Sequence, residues 1–335
     1  MRIVSIGEIL WDVFPDTEHL GGASFNFAAH AARLGHEVEF ISAVGADERG
    51  RLALELARRL GVSTRYVRVL DDEPTGFVSV ALDAAGQPSF VIHRPVAYDF
   101  TALGVEDLAE LAAAPPDWIY YGTLFQMSPP ARAATQALLN AAPRSRRFYD
   151  INLRQDSYTP ALVLDLLRLA TVVKLNEAEV REVERMMGEQ PRPLEAFCGF
   201  AAQRFGCEGV CVTRDVRGCA LWLAGNYVES PGYQVRVADA VGAGDAFAAA
   251  LLHGLGSGWP AGRIADFANR VGGLIASRPG ANEARGRPKG ADKTGNAVRS
   301  AGRGRRGSTS GCARRRPPAP PTGIPEVVGG TPAPL

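Results

Sequence analysis

Nothing in this 335-residue chain approaches an uninterrupted run of 18 apolar residues, so no segment reads as a membrane-spanning helix. Cysteine is scarce, at five residues. Cys198, Cys207, Cys211 and Cys219 lack the paired C-x-x-C spacing of a zinc or redox site. Buried thiols are expected there. Histidine is as sparse, and His30 falls on an apolar helix face where packing accounts for it. The opening Met1-Arg-Ile-Val-Ser-Ile-Gly7 is a short buried-strand pattern with Glu8 and Asp12 close behind. It lacks the longer apolar region and small-residue cleavage site of a secretory signal. A cytoplasmic protein with no membrane partner is expected.

An excess of charge of either sign is missing overall, but the net +1 hides two unlike pieces. Residues 281–335 carry 11 Lys/Arg against 3 Asp/Glu, while residues 1–280 carry 26 against 33. The larger piece is mildly acidic and has no nucleic-acid footprint. After Gly280 aromatics vanish, helical periodicity stops, and Gly, Arg, Pro and Ser dominate. Such a segment buries too little apolar surface to fold and is expected to be a disordered basic tail. A shift of reading frame would give the same abrupt change of texture.

What is present is a chain, 46% hydrophobic, able to bury a large core. Strand patterns at 2–6, 38–44, 118–121, 147–151, 172–175 and 210–213 alternate with helical ones at 24–34, 50–60 and 130–140. That alternation indicates a mostly parallel sheet with helices on both faces. Between 66 and 93 the texture shifts to alternating runs split by Asp, Gly and Pro turns, which reads as a small antiparallel side sheet. A hairpin around Gly225 follows later, and helices at 245–255 and 261–276 close the folded part, residues 1–280.

The richest stretch is Asp239-Ala-Val-Gly-Ala-Gly-Asp-Ala-Phe247, running into an apolar helix. Gly242 and Gly244 flank Ala243, which permits a tight turn with backbone N–H groups aligned at a helix start. Unpaired N–H groups and the helix dipole favour an anion there. Asp245 in the first turn would lie beside that anion. No Gly-Lys-Ser/Thr follows, so this is not a Walker A loop. A base next to a phosphate cradle is what a kinase acting on an alcohol requires. An ordinary capping aspartate has the same local pattern.

Further polar residues fall at the carboxyl ends of the strands, where open α/β sheets bind ligands. Glu8 and Asp12 follow the first strand, and Asn152 and Arg154 follow another. Lys174, Asn176 and Glu179 lie at the next, and Thr213 ends a fourth. By spacing alone, Asn176 with Glu179 is a capping box. Asp12 and Asn152 have the look of turn residues.

Gly21-Gly-Ala-Ser-Phe-Asn-Phe-Ala-Ala-His30 with Arg33-Leu-Gly35 resembles the first signature of the ribokinase-like (PfkB) sugar kinases. The stretch 239–247 resembles their second, about 215 residues downstream in the right order. The resemblance covers residues 1 to about 281. Gly7-Glu-Ile-Leu-Trp-Asp-Val-Phe-Pro15, Leu20-Gly-Gly-Ala23 and Asp150-Ile-Asn-Leu-Arg154 resemble the fructokinase branch most.

The resemblance implies a three-layer α/β/α domain with a β-sheet lid, its strands within about 12–20 and 66–98. It implies transfer of the ATP γ-phosphate to a sugar hydroxyl, fructose first among the sugars. Another ketose, such as 2-keto-3-deoxygluconate, or a sugar-binding protein that has lost turnover with its atypical end, fits the same motifs. Asp245 would be the base, and Gly242, Ala243 and Gly244 the anion hole. Asp12, Gly22 and Asn26 would touch sugar, with Asn152 and Arg154 adding substrate contacts. Lys174, Thr213, Gly218 and Asn269 would line the ATP site. Asn176 and Glu179 would organise Mg²⁺, partly through water, and Asp239 would serve a monovalent cation such as K⁺. Pairing of two copies through the lid is also implied. Ala240 and Val241 depart from the Thr common in the family, and Asp215 stands where a glycine often does.

Overall fold

The computed structural model describes residues 1–82, 88–154, 156–238 and 241–278. The chain opens with β1 (Arg2–Ile6), β2 (Leu10–Val13), β3 (Glu18–Gly21) and α1 (Ala23–Arg33). Next come β4 (Glu37–Gly45), α2 (Glu48–Arg59), β5 (Val62–Leu70), β6 (Gly76–Leu82) and β7 (Pro88–Ile92). The middle holds α3 (Val105–Ala113), β8 (Trp118–Gly122), α4 (Pro129–Ala141), β9 (Arg146–Asp150) and α5 (Pro160–Leu169). Then follow β10 (Val172–Asn176), α6 (Glu177–Met186), α7 (Leu194–Phe205) and β11 (Gly209–Thr213). The hairpin β12 (Cys219–Leu223) and β13 (Asn226–Ser230) leads to α8 (Ala243–Gly256) and α9 (Ala261–Ala276).

Local chemistry sets many of these boundaries. Asp47 caps α2 by accepting from Gly50 N at 2.8 Å, and Thr159 caps α5 from Leu162 N just before Pro160. Gly206 ends α7 in the left-handed conformation.

Nine strands form the main sheet in the order β13-β12-β11-β10-β9-β8-β1-β4-β5, parallel except for the β12–β13 end. Four more form the small sheet, β3-β2-β6-β7. Strand alternation splits the core in two. Ile3, Trp118, Tyr120 and Phe148 pack with α1, α2, α8 and α9 on one face. Val4, Ile119, Tyr121 and Tyr149 pack with α3 to α7 on the other. The expected three-layer α/β/α architecture with a separate small sheet is what the chain forms.

Two expectations need correction. Residues 67–70 do not belong to the side sheet: β5 runs parallel to β4 as the outer strand of the main sheet. Its alternation, with Val62 and Tyr66 buried and Arg65 exposed, reflects an edge strand covered on one side. Nor is the small sheet antiparallel throughout, because β2 pairs parallel with β6. Residues 281–335 lie outside the described residues. Cys198, Cys207, Cys211 and Cys219 are buried free thiols, and His30 is buried.

Candidate active site

From β1 the chain adds β4 and β5 on one side, then returns to add β8 on the other, so the strand order reverses between β1 and β8. Ligands of open α/β sheets bind at the carboxyl ends of strands beside such a reversal. On the face beneath α1 and α8, alternation places Tyr120, Asp150 and Lys174 in succession towards that end. Lys174 stands opposite Asp150 in the β10–β9 register, and Tyr120 opposite Phe148 in β8–β9. The apolar face therefore finishes in a polar cluster.

Lys174 Nζ donates to Asp150 Oδ1 at 2.9 Å and Oδ2 at 3.0 Å, and Tyr120 OH donates to Oδ2 at 3.2 Å. Asp150 is fully buried. The Tyr120 ring stacks on Phe27 of α1, with centroids 3.7 Å apart. Burial opposes the Lys174 charge, but Asp150 and then Glu179 outweigh it, so the ammonium holds its proton above the usual range.

Above this pair the starts of α1 and α8 converge. Gly242 takes φ 78°, a left-handed conformation open to glycine, and α8 begins at the next residue. Asn26 Nδ2 donates to Asp245 Oδ2 at 2.8 Å. A Cβ added to Gly244 would lie 3.6 Å from Lys174 Nζ, so the ammonium sits against this turn. Asp245 is buried, which pushes its carboxyl up to about 7; Asp150 adds to the rise, while Asn26, Lys174 and Arg154 oppose it.

The start of α1 is capped from a distance. Gly22, at φ 102°, offers no side chain, and a Cβ there would meet Glu8 O at 2.5 Å. Glu8 instead accepts from Ser24 N at 3.2 Å and Ser24 Oγ at 3.3 Å. Burial raises the Glu8 carboxyl against those hydrogen bonds and the charge of Arg154. Asp12 on β2 closes in beside this start, its Oδ2 only 2.5 Å from where a Gly21 Cβ would be.

Around the rim, Asn176 and Glu179 close a reciprocal capping box on α6. Glu179 Oε2 accepts from Asn176 N at 2.8 Å and Oε1 from Leu153 N at 2.7 Å, tying the helix to the loop after β9. In that loop Asn152 takes φ 42° and Arg154 is exposed. Thr213 stands opposite Asn176 and donates through Oγ1 to Leu175 O at 3.4 Å. Gly218 and Asn269 meet on the segment leaving β13. A Gly218 Cβ would fall 2.1 Å from Ser230 O, and Asn269 Nδ2 donates to Ser230 O at 3.1 Å and Pro231 O at 3.2 Å. Asp215 adopts φ 49°, a region glycine takes without strain. Asp239 lies outside the described residues.

A buried carboxylate thus stands in the first turn of a helix that opens on a left-handed glycine, with an ammonium against the same turn. The pfkB family carbohydrate kinase pattern matches residues 4–286. The chain belongs to that family. This carbohydrate kinase is a phosphotransferase with a sugar acceptor. It is 32% identical over 269 residues to a fructokinase of Klebsiella pneumoniae, spanning 76% of this chain and 84% of that protein. The structure of a sugar kinase from Pyrococcus horikoshii in complex with ATP superposes with TM-score 0.71 at 28% identity, over 84% of this chain and 94% of that one. A Vibrio cholerae fructokinase holding fructose, ADP and calcium gives TM-score 0.71 at 26% identity, over 84% and 95%. Among the described residues of the kinase, no helix is long and apolar enough to cross a membrane. None of its described His, Cys, Asp and Glu residues form a group of three that could hold a metal ion.

Two members of the polar cluster, Asp150 and Tyr120, escape the sequence reading. Asp150 opens the stretch Asp150-Ile-Asn-Leu-Arg154, which was a signal. Tyr120 has only strand alternation to mark it.

Proposed function

We propose that this kinase transfers the γ-phosphoryl group of ATP to fructose, forming fructose 6-phosphate, with Asp245 as the base. The observation that carries the reading is Asp245 itself: buried at the start of α8 and held by Asn26 at 2.8 Å, with burial pushing its carboxyl up to about 7. A base in that range is about half ionised at neutral pH and is basic enough to take a hydroxyl proton. Asp12, Gly22, Asn26, Asn152 and Arg154 form the sugar side. Lys174, Thr213, Gly218 and Asn269 form the nucleotide side.

In the step itself, the Asp245 carboxylate accepts the proton of the sugar hydroxyl. The hydroxyl oxygen forms a bond to the γ-phosphorus as the bond to the β–γ bridging oxygen breaks, and ADP leaves with that electron pair. The N–H groups of Gly242, Ala243 and Gly244 take up charge on the moving phosphoryl group. Mg²⁺, when bound with the nucleotide, would supply further charge neutralisation. Glu179 fits such a hydrated cation, since each carboxylate oxygen accepts one backbone N–H and retains a lone pair for a bound water. Asn176 would share that role. Pairing of two copies through the β3-β2-β6-β7 sheet belongs to the same reading.

The test is ATP-dependent ADP release by the full chain with Mg²⁺ and K⁺, across fructose, ribose, 2-keto-3-deoxygluconate and several nucleosides. Fructose is expected to give the highest kcat/KM. Preference for 2-keto-3-deoxygluconate would replace the substrate, and silence with every acceptor from folded protein would overturn the reading.

A further inference from the structure

We propose that Asp150 is a positioning residue of this kinase: it pins the Lys174 ammonium against the Gly242-Ala243-Gly244 turn and balances that ammonium's pull on Asp245. The proposal rests on the reading of the turn as phosphate site and of Asp245 as base.

Lysine is a flexible stem with three N–H donors and no fixed direction of its own. Here both Asp150 oxygens take short contacts from Nζ, at 2.9 and 3.0 Å, and the remaining side of the ammonium has Gly244 against it. Asp150 is fixed in turn by Tyr120 OH at 3.2 Å, and Tyr120 by its stack on Phe27. The chain thus delivers a cation to a backbone anion site from below, through three residues on adjacent strands.

The charge arithmetic explains why a carboxylate is spent on this. A lone ammonium beside Asp245 would hold the base ionised far below neutrality and weaken it. Asp150 alone would do the opposite, as two neighbouring carboxylates do. Together they deliver a cation to the turn at little net cost to the base. The other groups acting on Asp245 are Asn26 from α1 and Arg154 from the loop after β9; its charge also acts on Tyr120 of β8. Glu179 bears on Lys174 from α6, and Glu8 on Tyr120 from the loop after β1.

The experiment compares Asp150→Asn, Lys174→Met and the double variant in the full chain. Asp245 is titrated by carboxyl ¹³C NMR without substrate, its signal assigned from Asp245→Asn, and kcat and KM are measured with fructose. The Asp245 midpoint is expected to fall in Asp150→Asn and rise in Lys174→Met, each by about one pH unit or more, and to return towards wild type in the double variant. In all three, kcat should drop by about tenfold or more while fructose KM changes by less than about threefold. A loss of packing alone would not move the midpoints in opposite directions. If Asp150→Asn does not fold by circular dichroism, the comparison of Lys174→Met with the double variant decides in the same way. A Lys174→Met enzyme with wild-type kcat, or midpoints that stay put, overturns the proposal. A wild-type chain that phosphorylates no sugar removes the proposed function, and the NMR midpoints still decide the balance between Asp150 and Lys174.

Discussion

Asn26 and Asp245, 219 positions apart, are joined by a 2.8 Å hydrogen bond from Nδ2 to Oδ2 that ties the start of α1 to the start of α8. The bond favours the ionised carboxylate and opposes the upward push of burial. Asn26→Leu removes it while keeping the same branched arrangement of heavy atoms. Hydrogen bonds to charged groups contribute about 1.5–3 kcal/mol, which corresponds to about one pH unit or more. The acid limb of kcat/KM is expected to move to higher pH by that amount, read from pH–rate profiles of the two enzymes.

The wild-type profile is itself a prediction. With Asp245 titrating at about 7, kcat/KM should fall roughly tenfold per unit as pH drops below 7, because only the ionised form accepts the proton. An acid limb near the ordinary aspartate range would contradict the burial argument.

Stability carries the opposite sign. The folded-state value of Asp245 lies above its ordinary 3.8, so its contribution is fully present below 3.8 and is lost as pH rises through about 7. Asp245→Asn is therefore expected to raise Tm at pH 8 and to change it little at pH 4. Thermal melts at the two pH values check this.

Glu8 supports α1 from across a turn, accepting from Ser24 N and Oγ. Glu8→Ala leaves those buried donors unsatisfied and should cost about 1–3 kcal/mol in denaturant titrations. It should also lower kcat, since Asn26 sits two residues further along the same helical turn.

A second titrating pair lies at the far ends of the same helices. His253 Nδ1 and His36 Nε2 are 3.0 Å apart. Burial, with the charges of His253 and the N-terminus, pushes His36 down to about 4, and burial lowers His253 as well. The unfolded chain takes up those protons near 6.5, so stability is full above that value and falls as pH drops towards 4. Tm should decline between pH 7 and 5, and His36→Gln should flatten the decline.

The local signals were legible in the sequence. The turn at 242–244, Asp245 in the first turn of a helix, and the capping box of Asn176 with Glu179 all depend on residues a few positions apart. What escaped depends on pairing between distant segments. Lys174 meets Asp150 only because β10 and β9 align those two residues, and Glu8 reaches Ser24 across two strands of another sheet. Gly218 stands out as a glycine in the sequence, but the reason, a close approach by Ser230 O, comes from the hairpin. The alternation of β5 marked a half-covered strand correctly and the wrong sheet, since period two does not say which neighbour a strand pairs with.

The most direct test of the account measures ADP release with ATP, Mg²⁺ and fructose by the wild-type chain and by Asp245→Ala, with fructose binding followed by calorimetry. Turnover by the wild type, its loss by about a thousandfold or more in the variant, and fructose affinity retained within a few-fold are the predicted result. Comparable turnover from Asp245→Ala would contradict the assignment of Asp245 as the base.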